Sequence, residues 1–363
     1  IASFDRFLSE LPGGVQFFSL LKAQPGLIRL FADIMGSAPR LAHILSKRRR
    51  LLGAVLDPHV LGSRLDEDAI DELLIRSFAT ARETSTGDPM QEVLDTARII
   101  GSEQKFLIGV RALTGSISAA GAGLAYAIVA ERLIAGLLRE VSRQMEVEYG
   151  RVPGGSAVVI AMGKLGGREM TASSDVDLIL VYDFERGAEQ SDGPRPLAPQ
   201  HYYTRLTQRL ITALTAHTAE GALYDVDMRL RPSGQKGPVA TQLSSFASYQ
   251  ANEAWTWEHM ALTRARVIAG SPDLSARVET EIRNVLTAPR DRARIAADIR
   301  DMRNRIEAEK ATSDIWDLKQ VRGGLVDLEF IVQHLQLVFA AEHPRILDQT
   351  TLVALDVAAS EGL

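Results

Sequence analysis

GKLGGREMTASSDVDLILVYD, Gly163–Asp183, is the stretch on which the reading of this chain turns. Its end, Val176–Asp183, is a short apolar run rich in Val, Ile and Leu, which predicts a strand rather than a helix. Asp175 and Asp177 stand one residue apart where that strand begins. Residues i and i+2 of a strand project to one face, so the two carboxylates point together toward the preceding loop. Adjacent carboxylates repel, and a divalent cation relieves the repulsion. Mg²⁺ suits such a place, because it takes oxygen ligands from one or two carboxylates and completes its shell with substrate phosphates. Gly163, Gly166 and Gly167 lie between an earlier apolar run and the Asp pair. A glycine-rich turn lets backbone N–H groups approach phosphate oxygens, and which of the two turns does so stays open. Ser173 and Ser174 add hydroxyl donors beside the carboxylates.

Two further runs belong with this one. SAVVIAMG, Ser156–Gly163, predicts a strand before the glycines, and ALYDVDMRLR, Ala222–Arg231, predicts a third. The third offers Asp225 and Asp227 as an additional carboxylate. Two ions about 4 Å apart could then activate an attacking hydroxyl and stabilise the leaving oxygen. Lys164, Arg229 and Arg231 could neutralise a triphosphate. A lone D-x-D or a lone glycine turn is an ordinary surface feature. The ordered combination of strand, glycine loop, D-x-D strand and a third Asp-bearing strand points to metal-dependent phosphoryl or nucleotidyl transfer.

Outward from this core the chain reads as helical. Before it, apolar-periodic runs break at Pro12-Gly13-Gly14, Pro25-Gly26 and Pro39, as helix stops should. Longer helices are predicted near Asp66–Thr84, Glu92–Ala112 and Ser118–Tyr149, and Gly150–Gly155 marks a boundary. After a polar loop, Glu185–Pro199, come a helix near Gln200–Thr218 and, past Gly237-Pro238, mostly helix to Leu363. Trp255, Trp257, Glu258 and His259 fall on one of these helices, where the aromatic pair is expected in the core. Asp327 and Glu329 also lie in a predicted helix, where i and i+2 do not share a face, so a metal role is not expected there. Lys47–Arg50 closes a helix with positive charge that suits its dipole, and His217 and His334 are isolated and read as structural.

Composition bounds the answer. The chain has 363 residues, 46% hydrophobic and 24% charged, which are globular values and exclude general disorder. It has no cysteine, which excludes a disulfide scaffold and a thiolate zinc site. A net charge of −5 argues against a general nucleic-acid binder. The longest uncharged apolar-rich run, Thr114–Ala130, is shorter than the roughly 20 residues of a spanning helix. The chain starts at Ile1, shows no signal-peptide pattern and reads as a piece of a longer, cytoplasmic protein.

The D-x-D strand with its glycine loop resembles the DNA polymerase β-type nucleotidyltransferase superfamily. With YDVDMRLRPSGQKGPVAT, YQANEAWTWEHMALTRARVIAG and VRGGLVDLEFIVQ, the chain more narrowly resembles the glutamine synthetase adenylyltransferase family. That resemblance implies an α+β, mostly helical fold. Residues 1–115 would be a helical connecting or regulatory region. Residues 116–270 would be the nucleotidyltransferase domain, with its sheet core at about 156–240. Residues 271–363 would be a C-terminal helical domain, cut short. It implies transfer of AMP from ATP to a tyrosine of glutamine synthetase, with two Mg²⁺ ions, and regulation of the whole enzyme by PII signal protein and glutamine. Carried over by position, the metal-binding carboxylates are Asp175, Asp177 and Asp227, Asp225 is left out, and the glycine loop is Gly163–Gly167. The superfamily's glycine pair reads Gly163-Lys164 at its usual spacing, a departure. The Asn252–Arg266 segment resembles the adenylylating half. The adenylyl-removing half, a PII uridylyltransferase-like enzyme and a regulatory binding module with a degenerate site are the rival readings.

Overall fold

The computed structural model describes residues 22, 25–48, 51, 66–310, 312 and 314–363. The helix break at Pro12–Gly14, the segments beside it, and Arg49 and Arg50 of the basic run lie outside the described residues. The fold is α+β and mostly helical, as expected. Two compact units emerge: one gathers Ile1–Gly136 with Met170–Ser173 and Ala216–Leu223, the other Leu137–Glu169, Ser174–Thr215 and Tyr224–Leu363.

In the first unit, helices α1 (Pro25–Ser37) and α2 (Pro39–Lys47) precede the longer pair α3 (Glu67–Thr84) and α4 (Pro89–Leu113). Asp66 and Asp88 accept backbone N–H bonds at the starts of α3 and α4, which satisfies donors that a helix leaves orphaned. Pro89 at the first position of α4 fits the same logic. Ile70, Leu74 and Phe78 bury one stripe of α3, and Phe31, Ile34, Leu45, Phe106 and Val110 form a second apolar cluster.

Helix α5 (Ala119–Tyr149) passes from the first unit into the second. It is long and apolar enough to cross a membrane by length and composition, with a window of mean hydropathy 1.5, but 78% of that window is buried inside the protein. Its apolar surface is therefore spent on the fold's own interior.

The second unit is built on a five-stranded sheet. Strands β1 (Ser156–Ala161) and β2 (Val176–Asp183) pair antiparallel, Ser156 opposite Asp183. The other edge of β2 is shared end to end: β3 (Val226–Asp227) runs parallel to its start and β4 (Ala240–Gln242) parallel to its later half. Strand β5 (Arg266–Gly270) pairs antiparallel with β1 across a register shift at Val159/Ile160. Helix α6 (Gly163–Gly166) is the single turn after β1, and helix α7 (Pro199–Thr215) is the crossover between β2 and β3.

The period of two sorts the strand residues. Val158, Ile160, Ile179 and Val181 face helices α8 (Leu243–Asn252), α9 (Thr256–Leu262) and α10 (Pro272–Leu286), in a cluster with Phe246, Met260, Leu262, Leu274 and Val278. Val159, Leu178 and Leu180 face Leu210 and Leu214 of α7. Covered on both faces, β2 reads as an unbroken apolar run rather than an alternating one. Helices α11 (Arg292–Lys310), α12 (Leu325–Phe339) and α13 (Thr351–Ser360) complete the chain.

The third strand is the main departure from the sequence reading. Of Ala222–Arg231 only Val226 and Asp227 form ladder, and β4 and β5 stand where helix was expected. Arg229 and Arg231 turn the chain out of the sheet instead, as their hydrogen bonds show below.

Candidate active site

Asp175 stands one residue ahead of β2 and is exposed, and Asp177 lies in the strand, half-buried. Asp177 is the parallel register partner of Asp227, so carboxylates from two adjacent strands meet at one end of the sheet. Burial first, then the negative charges of Asp175 and Asp227, push the Asp177 carboxyl up to about 6, against weaker opposing pulls from Arg229 and Arg264. Asp227 moves the other way. Arg229 donates its Nε to Asp227 Oδ2 at 2.7 Å and its backbone N to Oδ1 at 2.8 Å, and the guanidinium holds this carboxyl below its usual range. Asp225 is exposed and serves through its carbonyl, which accepts the Val176 N–H at 2.9 Å.

The glycine loop divides into two functions. Gly163 has φ +54°, and a Cβ there would collide with Oδ2 of Asp177, so only glycine lets the end of β1 pass the carboxylate. Gly166 and Gly167 serve packing: a Cβ on the first would collide with the Arg264 carbonyl, on the second with the Arg264 guanidinium. The N–H groups of Gly166 and Gly167 are already given to Met162 O at 2.9 Å and Gly163 O at 3.1 Å. Gly163 is the loop residue set against the Asp177 carboxylate. Lys164 is exposed, as is Ser173, while Ser174 is half-buried.

Arg229 is exposed outside its bonds to Asp227, and can turn toward a phosphate. Arg231 is committed to its own loop: it donates to Met228 O at 2.8 Å, Pro238 O at 3.1 Å and Gln235 O at 3.3 Å. It braces the turn that carries the chain from β3 toward β4.

Sequence reasoning missed the supports beneath the loop. Arg264, 6% exposed, pairs with Glu169 and with Glu329 of α12, 3.2 Å away. Arg266 donates to the carbonyls of Leu165 and Gly166 at 3.1 and 3.2 Å, and Thr350 donates to Gly167 O at 3.3 Å. Asp327, on the same helix as Glu329, pairs with Arg303. The available signal was the Arg-x-Arg of Arg264–Arg266 directly before an apolar run.

The tryptophans correct another expectation. Trp255 is 70% exposed and Trp257 37% exposed, and both border a groove of about 1110 Å³ with Arg294, Met302 and Ile306. The buried member of that motif is Glu258, whose carboxylate accepts the Tyr249 hydroxyl at 2.8 Å and the Trp255 N–H at 2.9 Å. The first bond ties α9 to α8 and the second caps the start of α9 itself, and the indoles are left outside. His259 accepts from Arg290 through Nδ1 at 2.8 Å, and burial lowers its proton affinity. His217 is exposed and His334 half-buried.

Among the described residues no three His, Asp or Glu side chains converge tightly enough to cage an ion unaided. The donor set still fits a hard divalent cation: two close carboxylates with mutual repulsion, and a third across the ladder, held by an exposed arginine. Such an ion keeps substrate phosphates and water in its shell rather than an all-protein cage.

Adjacent acidic strand ends above a glycine turn are the features expected of a nucleotidyltransferase. Residues 28–281 match the family model described as glutamate–ammonia ligase adenylyltransferase, and the chain belongs to that family. Residues 293–362 match a second model, GlnD PII-uridylyltransferase. Similar relatives carry the name bifunctional glutamine synthetase adenylyltransferase/adenylyl-removing enzyme. That of Mesorhizobium japonicum is 53% identical over 91% of this chain and 33% of the relative. Those of Bradyrhizobium sp. (strain BTAi1) and Xanthobacter autotrophicus are 49% and 50% identical over 100% of this chain and 36% of each relative. The chain thus spans about a third of the length of the curated relatives it matches.

Proposed function

We propose that this chain transfers AMP from ATP to a tyrosine hydroxyl of glutamine synthetase, releasing pyrophosphate. The observation that carries the reading is the register of Asp177 opposite Asp227, with Asp175 beside them, in a chain of this family. Asp175, Asp177 and Asp227 are the residues to hold Mg²⁺, which when bound supplies a Lewis acid at the α-phosphate and lowers the pKa of a coordinated hydroxyl. Gly163 keeps the loop clear of Asp177. Lys164 and Arg229 neutralise phosphate oxygens, and Arg229 leaves Asp227 as it does so. The freed Asp227 carboxylate accepts the tyrosine proton, which an unperturbed phenol with pKa near 10 gives up poorly at neutral pH. The phenol oxygen bonds to the α-phosphorus as the bond from that phosphorus to the bridging oxygen breaks, and pyrophosphate carries the electron pair away. No covalent enzyme intermediate is needed, and positioning supplies most of the rate. PII signal protein and glutamine are the proposed regulators of the longer enzyme.

The test is incubation with unmodified glutamine synthetase, α-labelled ATP and Mg²⁺. Label on a tyrosine with pyrophosphate released supports the proposal. Absence of label, with ADP formed from AMP-synthetase and inorganic phosphate, reassigns the chain to the removing reaction. Neither reaction, with Mg-ATP still bound, means a different acceptor.

A further inference from the structure

The loop from α7 into β3, residues 216–223, groups with the helices of the first unit. It closes on itself, with Thr218 N and Gly221 N donating to each other's carbonyls at 3.1 and 3.0 Å. On α4, Arg98, Gly101 and Lys105 recur at three- and four-residue spacing and share a face. That face grips the loop. Arg98, 1% exposed, donates Nε to Gly221 O at 2.8 Å and Nη2 to Ala216 O at 2.5 Å, with Nη1 on Leu94 O of its own helix. Lys105 Nζ donates to Leu223 O at 2.9 Å. A Cβ on Gly101 would stand 2.7 Å from Leu223 Cδ1, so the glycine admits Leu223 to the helix surface. Arg48 pairs with Glu220 at 2.7 Å.

A buried arginine and a half-buried lysine on one helix face are a costly way to pack a loop. Burial lowers the proton affinity of Arg98 and pushes Lys105 down to about 8. Apolar side chains would fill the same space without that cost. What the cations add is direction: their bonds end on main-chain carbonyls and fix where the backbone runs. The chain leaves Leu223, gives Tyr224 N to Leu214 O at 3.1 Å and enters β3, whose ladder is two residues long.

We infer that Arg98, assisted by Lys105, is a positioning residue for the Asp227 carboxylate, fixing the loop whose end determines how β3 enters the sheet. The inference rests on reading Asp175, Asp177 and Asp227 as the ion-holding set. The coupling runs along the chain: lifting residues 216–223 from α4 displaces Asp227.

The test compares the full chain with Arg98→Ala, Lys105→Met and Leu74→Ala. Leu74 is buried on α3 and makes no bond to the loop, so its truncation reports general destabilisation. Three readouts are taken: hydrogen exchange of residues 216–227 without ligand, Mn²⁺ binding in the presence of ATP, and AMP transfer. Arg98→Ala is expected to speed exchange in 216–227 and to weaken Mn²⁺ binding. It should lower kcat about 10²-fold with KM for ATP unchanged, the order expected of a ~1 Å misplacement. Millimolar guanidinium should restore part of the loss. Lys105→Met, which removes a half-buried charge and so keeps the chain folded, should act in the same direction and less. Leu74→Ala should lower Tm yet keep wild-type exchange in 216–227 and wild-type Mn²⁺ binding. Unchanged exchange in both Arg98→Ala and Lys105→Met overturns the inference, as do losses that merely track Tm across all three variants. A wild-type chain that binds no Mn²⁺ and transfers nothing sinks the functional reading instead, and the exchange data then judge Arg98 alone.

Discussion

Strands β2 and β3 both bring carboxylates to the site, and they are held by different means. β2 is eight residues long, paired on both edges and buried on both faces, so Asp177 moves only if the sheet core moves. β3 is two residues long and pairs with β2 alone, so Asp227 depends on the loop before it and on Arg229 after it. The electrostatics divide the same way. Crowding by burial and like charge raises Asp177, and a partner cation lowers Asp227. One side of the site is thus fixed and under repulsion, the other tethered and neutralised. In the proposed reaction the fixed side would take the cation and the tethered side would release the base.

The largest expected effect comes from the fixed side. Asp177→Asn should cut AMP transfer by about 10³-fold or more, the order for losing a main stabiliser of transition-state charge. The same change should raise stability to urea in EDTA by about 1–2 kcal/mol at pH 7, after allowing for solvent screening, because it removes a crowded ionised carboxylate. The sign follows from linkage. With its folded pKa raised, Asp177 favours folding below about pH 4 and loses that contribution as pH rises through about 6. A variant that keeps near-normal transfer breaks the assignment of β2 as the ion-holding strand.

The tethered side should respond less. Arg229→Gln is expected to raise KM for ATP by about tenfold, the scale of a charge-assisted hydrogen bond to phosphate. If KM stays put and only the acid limb of the pH–rate profile shifts, Arg229 serves Asp227 and not the nucleotide.

In the helical unit the expected effect is on the pH dependence of stability rather than on the reaction. Lys105 is lowered to about 8 in the fold and near 10.4 when unfolded, so between these values the unfolded chain binds more protons and stability rises with pH. The stability difference between wild type and Lys105→Met, measured by urea unfolding from pH 7 to 10, should shift by on the order of 2 kcal/mol in favour of wild type. A flat difference would mean that the ammonium is not buried as the fold places it.

How much of this was legible depended on range. Val176–Asp183 and the longer helices announced themselves through local pattern, and the capping aspartates marked where α3 and α4 begin. Asp175, Asp177 and Asp227 stood out because their chemistry is tied to strand spacing. β4 and β5 did not, since three and five residues beside helices carry too little periodicity and exist by pairing with distant strands. Arg98, Lys105, Arg264 and Glu329 read as ordinary charged helix or loop residues, because a sequence does not say which arginine will be buried or what carbonyl it will meet. Trp255 and Trp257 failed for the converse reason: residue size suggested core, while Glu258 took the interior place.

The parallel pairing of β2 with β3 has a consequence for assembly in time. Parallel neighbours cannot be joined by a hairpin, and here the connection includes the whole of α7 and the gripped loop. Closing so long a loop costs chain entropy before the ladder returns anything. A growing polypeptide therefore presents Asp175 and Asp177 on a nearly complete hairpin with β1 well before Asp227 exists to join them. Competence at this centre is a late event in folding, conferred when the crossover helix has docked.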